Sequence, residues 1–127
     1  MAEETIDKDR GLAKEERICS LKVTEQIFKE GTGVFKHPLR AVYVVRKENT
    51  FAKSRMLISV PKKRFKHAVD RNRVKRQVRE AYRLNKHLLN GALFDIAFIY
   101  ASDKHYSQEV ITRAVVACLN AVSLRDR

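Results

Sequence analysis

Residues 59–90 read SVPKKRFKHAVDRNRVKRQVREAYRLNKHLLN, and this stretch decides how the chain is built. Between Lys62 and Lys86 it holds eleven basic residues against two acidic ones, Asp70 and Glu80, a formal +9 of the chain's +12. The charges are sorted. At 100° per residue Val74, Val78, Ala81, Tyr82, Leu88 and Leu89 share one side of a helix. Asn72, Arg76, Arg79 and Arg83 follow at steps of four, three and four, a stripe on the other side, flanked by Lys75 and Lys86. One side is made to pack and the other to meet something acidic. Like charges at i, i+3 and i+4 cost a few tenths of a kcal/mol per pair. A helix that accepts several such pairs points to a polyanionic partner, because an ordinary solvated face mixes signs, as Lys29 and Glu30 do here.

The whole chain agrees. It has 127 residues, 44% hydrophobic and 33% charged, with a pI near 10.1. That is enough for one domain with a core of its own, and its charge favours nucleic acid first and anionic membrane second. A membrane-surface role fits poorly. The apolar side of the basic helix is rich in Val and Ala, lacks Trp and is needed for the core. No apolar run is long enough to span a bilayer, and the N-terminal MAEETIDKDRGLAKEER lacks the apolar centre of a secretion signal. Cys19 and Cys118 suit a reducing cytoplasm as two buried thiols, and they exclude a cysteine-based zinc site.

Around the basic segment the chain reads as α-β-β-α-β-α. Residues 1 to 16 are charged, with few large apolar side chains, and are expected to form a mobile arm; 17–127 form the single domain. Ser20 caps a helix over 21–30 that Gly31 ends. Leu21, Thr24 and Phe28 share one side of it, with Val23 and Ile27 beside them. Gly31-Thr32-Gly33 is read as a turn; following a helix rather than a strand, it is a poor phosphate cradle. Leu39 to Arg46 is a strand with Val42 and Val44 on one side and Ala41, Tyr43 and Val45 on the other. Lys47 to Lys53 is read as a hairpin loop leading to a second strand, Arg55 to Val60, where Met56, Ile58 and Val60 alternate with Leu57 and Ser59. Pro61 ends that strand, Lys62 to His67 is a basic loop, and the organising helix runs to Leu89, closed by Asn90-Gly91. LFDIAFIY, 93–100, is an apolar central strand. Ser107 opens a last helix in which Val110, Ile111, Ala114, Val115, Cys118, Leu119 and Val122 repeat at three and four. The expected class is α+β, a two-layer α/β sandwich with a small sheet.

Catalytic signals are nearly absent. His37, His67, His87 and His105 show no ligand spacing, and no nucleophile elbow exists. Asp70 falls in the first turn of the basic helix, where its charge suits the dipole. Asp95, inside the apolar strand, is the one carboxylate worth inspection; alternation makes it a residue of an exposed face. Binding signals are stronger. Arginine dominates the helix stripe, and its planar fork suits phosphate. Phe28 and Tyr43 are candidates either for stacking on unpaired bases or for the core.

Arg71-Asn72-Arg73-Val74-Lys75-Arg76 with Arg79-Glu80-Ala81, preceded by Ser59-Val60-Pro61-Lys62-Lys63 and Ala68-Val69, resembles the signature of the bacterial ribonuclease P protein family. The likeness covers residues 15 to 122, and Phe28-Lys29-Glu30-Gly31 falls in the corresponding place. It implies the ribosomal protein S5 domain 2-like fold with a left-handed β-α-β crossover, against the usual hand. It also implies a subunit of a tRNA-processing endonuclease whose catalyst is an RNA with Mg²⁺, so that no side chain of this protein is catalytic. The expected partners are that RNA, in a 1:1 complex with one protein copy, and precursor tRNA, in the cytoplasm. RNA contacts are implied for Lys62, Lys63, Arg71, Asn72, Arg73, Lys75, Arg76 and Arg79; Arg64 of the basic loop and Arg83 of the stripe complete the candidate set. A cleft between the sheet and the first helix would hold the 5′ leader of the precursor, with Phe28 and Tyr43 matching its aromatic positions. Thr24 stands where many relatives have a second aromatic residue, and Arg64-Phe65-Lys66-His67 replaces a shorter, glycine-containing loop. The other reading is a structural, ribosome-associated RNA-binding protein of the same fold.

Overall fold

A computed structural model describes residues 21–45, 54–89 and 93–125. The expected arm, the Ser20 cap, the loop at 47–53, Cys19 and the closing Asn90-Gly91 lie outside these residues. The elements are α1 (Leu21–Glu30), β1 (Thr32–Lys36), β2 (Leu39–Val45), β3 (Arg55–Ser59), α2 (Ala68–Asn85) continued by a 3₁₀ turn (Lys86–Leu89), β4 (Phe94–Tyr100) and α3 (Gln108–Arg125). Helices and a four-stranded sheet make a mixed α+β fold, with one strand more than the sequence reading allowed. That strand, β1, occupies the expected glycine turn. It escapes a reading by pattern because only Val34 of its five residues is buried.

The sheet order is β1-β2-β4-β3. β1 and β2 form an antiparallel hairpin whose last pair is Lys36 with Leu39, so His37 and Pro38 make a two-residue turn. β4 then pairs antiparallel with β2 and parallel with β3. The expected hairpin between β2 and β3 therefore does not form: β4 lies between them. β4 is apolar on both sides because it has a neighbour on each edge and cover above and below. The β3-α2-β4 segment is a parallel β-α-β unit.

Strand alternation sorts the side chains into two sets. Ala41, Tyr43, Met56, Phe94, Ile96, Phe98 and Tyr100 face α2 and α3 and form the main core with Val74, Val78, Tyr82, Ile111, Val115, Cys118 and Leu119. The ring of Tyr82 meets that of Phe98 edge-on at 6.0 Å. The other side of the sheet carries a smaller cluster, Ile27 of α1 on Val42 and Ala97. The α2/α3 layer and the sheet are the expected two layers, and α1 partly covers the far side of the sheet. Gly31 lets α1 sit this closely. Its amide donates to Ile27 O at 2.8 Å, and a Cβ there would overlap Ile27 O and Val42 Cγ1. Ser107 Oγ accepts from the Val110 amide at 3.3 Å, the cap expected for α3.

Candidate nucleic-acid interface

α2 shows the two sides that its sequence predicts. Val74, Val78, Ala81 and Tyr82 are buried. Asn72, Arg73 and Arg76 are exposed, with Lys75, Arg79 and Arg83 half-buried beside them. Arg83 is paired within the helix: Nη2 and Nε reach Glu80 at 2.7 and 3.2 Å, and this hydrogen bond holds its pKa above the ordinary arginine value. Arg83 is thus partly neutralised, whereas Arg73 and Arg76 present their charge to solvent.

The loop from Pro61 to His67 is held from beneath. Its Lys62, Lys63 and Lys66 are exposed while Phe65 is buried. The Phe65 ring stacks on His105 with centroids 4.4 Å apart and lies 5.8 Å from Tyr100. A turn is closed by the Arg64 amide to Pro61 O at 2.9 Å, and Arg64 Nη1 approaches Asp103 Oδ1 at 3.3 Å. Arg71 Nη1 donates to Phe65 O at 2.8 Å and to Lys66 O at 3.0 Å. Asp70, in the first turn of α2 as expected, pairs with His105 Nε2 at 3.2 Å. Loop and helix thus form one continuous basic surface, in which Lys62, Lys63, Lys66, Arg73 and Arg76 point outward. Lys66 belongs to that set although it was not among the expected contacts; its place in the basic loop was the available signal.

The second candidate region is the side of the sheet under α1. Phe28, next to the buried Ile27, is 49% exposed, in keeping with a surface role. Tyr43 is not in this region. It is 6% exposed, its ring packs edge-on to Phe94 at 5.8 Å, and it belongs to the main core. The register explains the difference: Val42 pairs with Ala97 on the α1 side, Tyr43 with Ile96 on the other, and one residue along a strand reverses the face. Phe35 of β1, which sequence reasoning missed, is 58% exposed and sits opposite Arg40 in the β1–β2 register, on the same side as Val42. An aromatic ring beside an arginine is a combination suited to a nucleotide. No pattern in the sequence pointed to it, because a single buried residue, Val34, gives no alternation to count.

Asp95 is on this side too, but it is buried, not exposed as alternation suggested. Arg55 Nε and Nη2 each reach one carboxylate oxygen at 2.8 Å, a bidentate pair across the parallel β3–β4 register. Its charge is committed to holding the sheet, and it offers no free general base. Among the described residues no group of three or more His, Cys, Asp or Glu side chains could hold a metal ion. No helix among them is long and apolar enough to cross a membrane. Cys118 is buried, and that burial pushes its thiol up to about 12.

Comparison with known proteins adds a family. Residues 12–123 match the family model described as Ribonuclease P. A ribonuclease P protein component from Porphyromonas gingivalis is 48% identical over 111 residues, covering 83% of this chain and 81% of the relative. One from Ectopseudomonas mendocina is 35% identical over 82 residues, 65% of this chain and 60% of the relative. Among solved structures, the RNase P protein of Staphylococcus aureus superposes with a TM-score of 0.73 at 27% identity, covering 84% of this chain and 94% of that one. That of Thermotoga maritima gives 0.71 at 26%, covering 84% and 96%.

Proposed function

From the premise that the chain belongs to the ribonuclease P protein family, we propose that it is the protein subunit of a tRNA 5′-maturation ribonucleoprotein. In this reading one copy docks on the catalytic RNA in the cytoplasm and also holds the 5′ leader of precursor tRNA. One observation carries it: on a single helix the apolar residues are buried in the core while Arg73 and Arg76 face solvent, continuous with the lysines of a pinned loop. Such a surface matches phosphates in a fixed arrangement. Its work is electrostatic, since it offsets the repulsion between two RNAs and thereby raises substrate affinity.

The leader belongs on the α1 side of the sheet, where Phe28 and Phe35 expose rings and Arg40 adds a charge. Tyr43 drops out of the leader site because it is in the core. The chain supplies no reacting group in this reading: Asp95, the one buried carboxylate among the described residues, is spent on Arg55, and Tyr100 is held protonated by burial. In this reading Mg²⁺ is held by the RNA, where it would activate the attacking water.

The test is reconstitution with ribonuclease P RNA and precursor tRNA at limiting Mg²⁺. Wild-type protein should stimulate leader removal, and its RNA affinity should fall about 10³-fold or more between roughly 50 and 200 mM salt if six or more phosphates are contacted. Arg76→Glu should weaken RNA binding at least tenfold, about 1.4 kcal/mol, with the melting temperature unchanged. Binding of RNA without stimulation would favour a structural RNA-binding role, and a flat salt response would remove the phosphate argument.

A further inference from the structure

Arg71 lies in the middle of the basic surface, half-buried, and its guanidinium is engaged with the protein's own backbone. Helical side chains lean toward the N-terminus. From the fourth residue of α2, Arg71 therefore reaches back over the first turn to the loop that precedes it. Both hydrogens of Nη1 are used, on the carbonyls of Phe65 and Lys66 at 2.8 and 3.0 Å. A cation near a helix N-terminus is disfavoured by the helix dipole, and these two carbonyls offset that cost. They lie between two exposed lysines, Lys63 and Lys66, and the helix that carries Arg73 and Arg76. Below them Phe65 is stacked on His105, and His105 in turn is bound to Asp70, next to Arg71 in sequence. The loop backbone is thus fastened twice, by a ring underneath and a guanidinium at its exit.

We propose that Arg71 is a positioning residue. It fixes the backbone of the 61–67 loop so that Lys62, Lys63 and Lys66 are preorganised for RNA, and it makes no phosphate contact of its own. The inference rests on the RNA-binding reading above and refines it: charge on this surface is divided between residues that touch RNA and one that aims them. Preorganisation raises affinity by removing the ordering cost of flexible side chains and loops at the moment of binding.

Three measurements on the full-length chain with ribonuclease P RNA decide it. Arg71→Ala should weaken binding about tenfold but leave the slope of log affinity against log salt unchanged, whereas Arg76→Ala should lower that slope by about 0.7 to 0.9. In a Lys62→Ala/Lys63→Ala/Lys66→Ala background, adding Arg71→Ala should weaken binding less than about twofold, because the residues it positions are gone. Without RNA, Arg71→Ala should speed trypsin cleavage within 62–66 several-fold at a temperature where far-UV circular dichroism shows the fold intact. A slope change equal to that of Arg76→Ala, a full loss in the lysine-free background, or an unchanged cleavage rate would each overturn the proposal. Should wild-type protein fail to bind the RNA, the RNA reading would fall, and the cleavage rate alone would still decide whether Arg71 holds the loop.

Discussion

The two sides of the sheet are made by the same strands with the same alternation, and they have opposite characters. Toward α2 and α3 the strands present Met56, Phe94, Ile96, Phe98 and Tyr100 to two long helices, and the Tyr100 hydroxyl that enters this layer donates to Lys104 O at 2.5 Å. Toward α1 the apolar layer is thin: Ile27, Val42 and Ala97, with the Arg55–Asp95 pair at one end and the exposed Phe35 beside Arg40 at the other. A ten-residue helix cannot cover four strands. What remains open is a shallow, mixed surface of aromatic and charged groups, whereas the covered side is sealed. In the proposed reading, stability rests mainly on the sealed side of the sheet and recognition on the open one. Substitutions on the sealed side should act on folding, and substitutions of the exposed rings on the open side mainly on binding.

The largest expected effect probes the sealed side. Phe98→Ala should lower unfolding free energy by about 3–5 kcal/mol, read by urea denaturation, because a fully buried ring leaves a cavity between two helices. Arg55→Ala tests whether the thin side also carries stability; it leaves Asp95 buried without its guanidinium and should cost about 3 kcal/mol. A cost well below 1 kcal/mol would mean that this side is for binding only. High pH discriminates differently. Burial lifts Tyr100 from 10.0 to about 12, and it lifts Cys118 from 9.0 to about 12, both on the sealed side. Their folded-state pKa values exceed the unfolded ones, so the stability they contribute is complete below about pH 9 and is lost as pH rises toward 12. For Tyr100 alone that loss is about 2 kcal/mol, measurable as a falling denaturation midpoint over this window. The smallest effect on stability should come from Phe28→Ala and Phe35→Ala, each within about 0.5 kcal/mol. Each should nevertheless weaken binding of a leader-bearing precursor by about 1–3 kcal/mol relative to a leaderless tRNA, in a filter-binding comparison.

Periodicity carried the sequence reading well where both periods were strong. The buried stripe of α2, the buried run of α3 and the sorting of Ala41, Tyr43 and Val45 against Val42 and Val44 are all in the structure. Alternation, however, says which residues share a side and not which side is covered. That depends on where α1 lands, and so Tyr43 was matched to a cleft from which it points away. β1 was missed because two glycines flank Thr32 and a single buried residue gives no alternation to count. Strand order was misread for a different reason. Consecutive strands usually neighbour each other, and nothing local announces that residues forty positions later will separate β2 from β3. The Arg55–Asp95 pair has the same origin, since its partners are adjacent only once that order exists. On the basic surface, charge showed where the cations gather but not what each is bonded to; Arg71, tied to two loop carbonyls, and Arg76, exposed, are indistinguishable by charge alone.

The position of β4 has a consequence for how the protein comes into being. The strand at the middle of the sheet is the last of the four to leave the ribosome, and α3 follows it. Until residues 94–100 emerge, the β1–β2 hairpin and β3 have bare edges and no shared hydrogen bonds, and the basic helix has little besides β3 to lean on. Native order should therefore arrive late and all at once, once β4 and α3 have emerged, and translation products that stop before β4 should be cleared as unfolded chains rather than persist as smaller working versions.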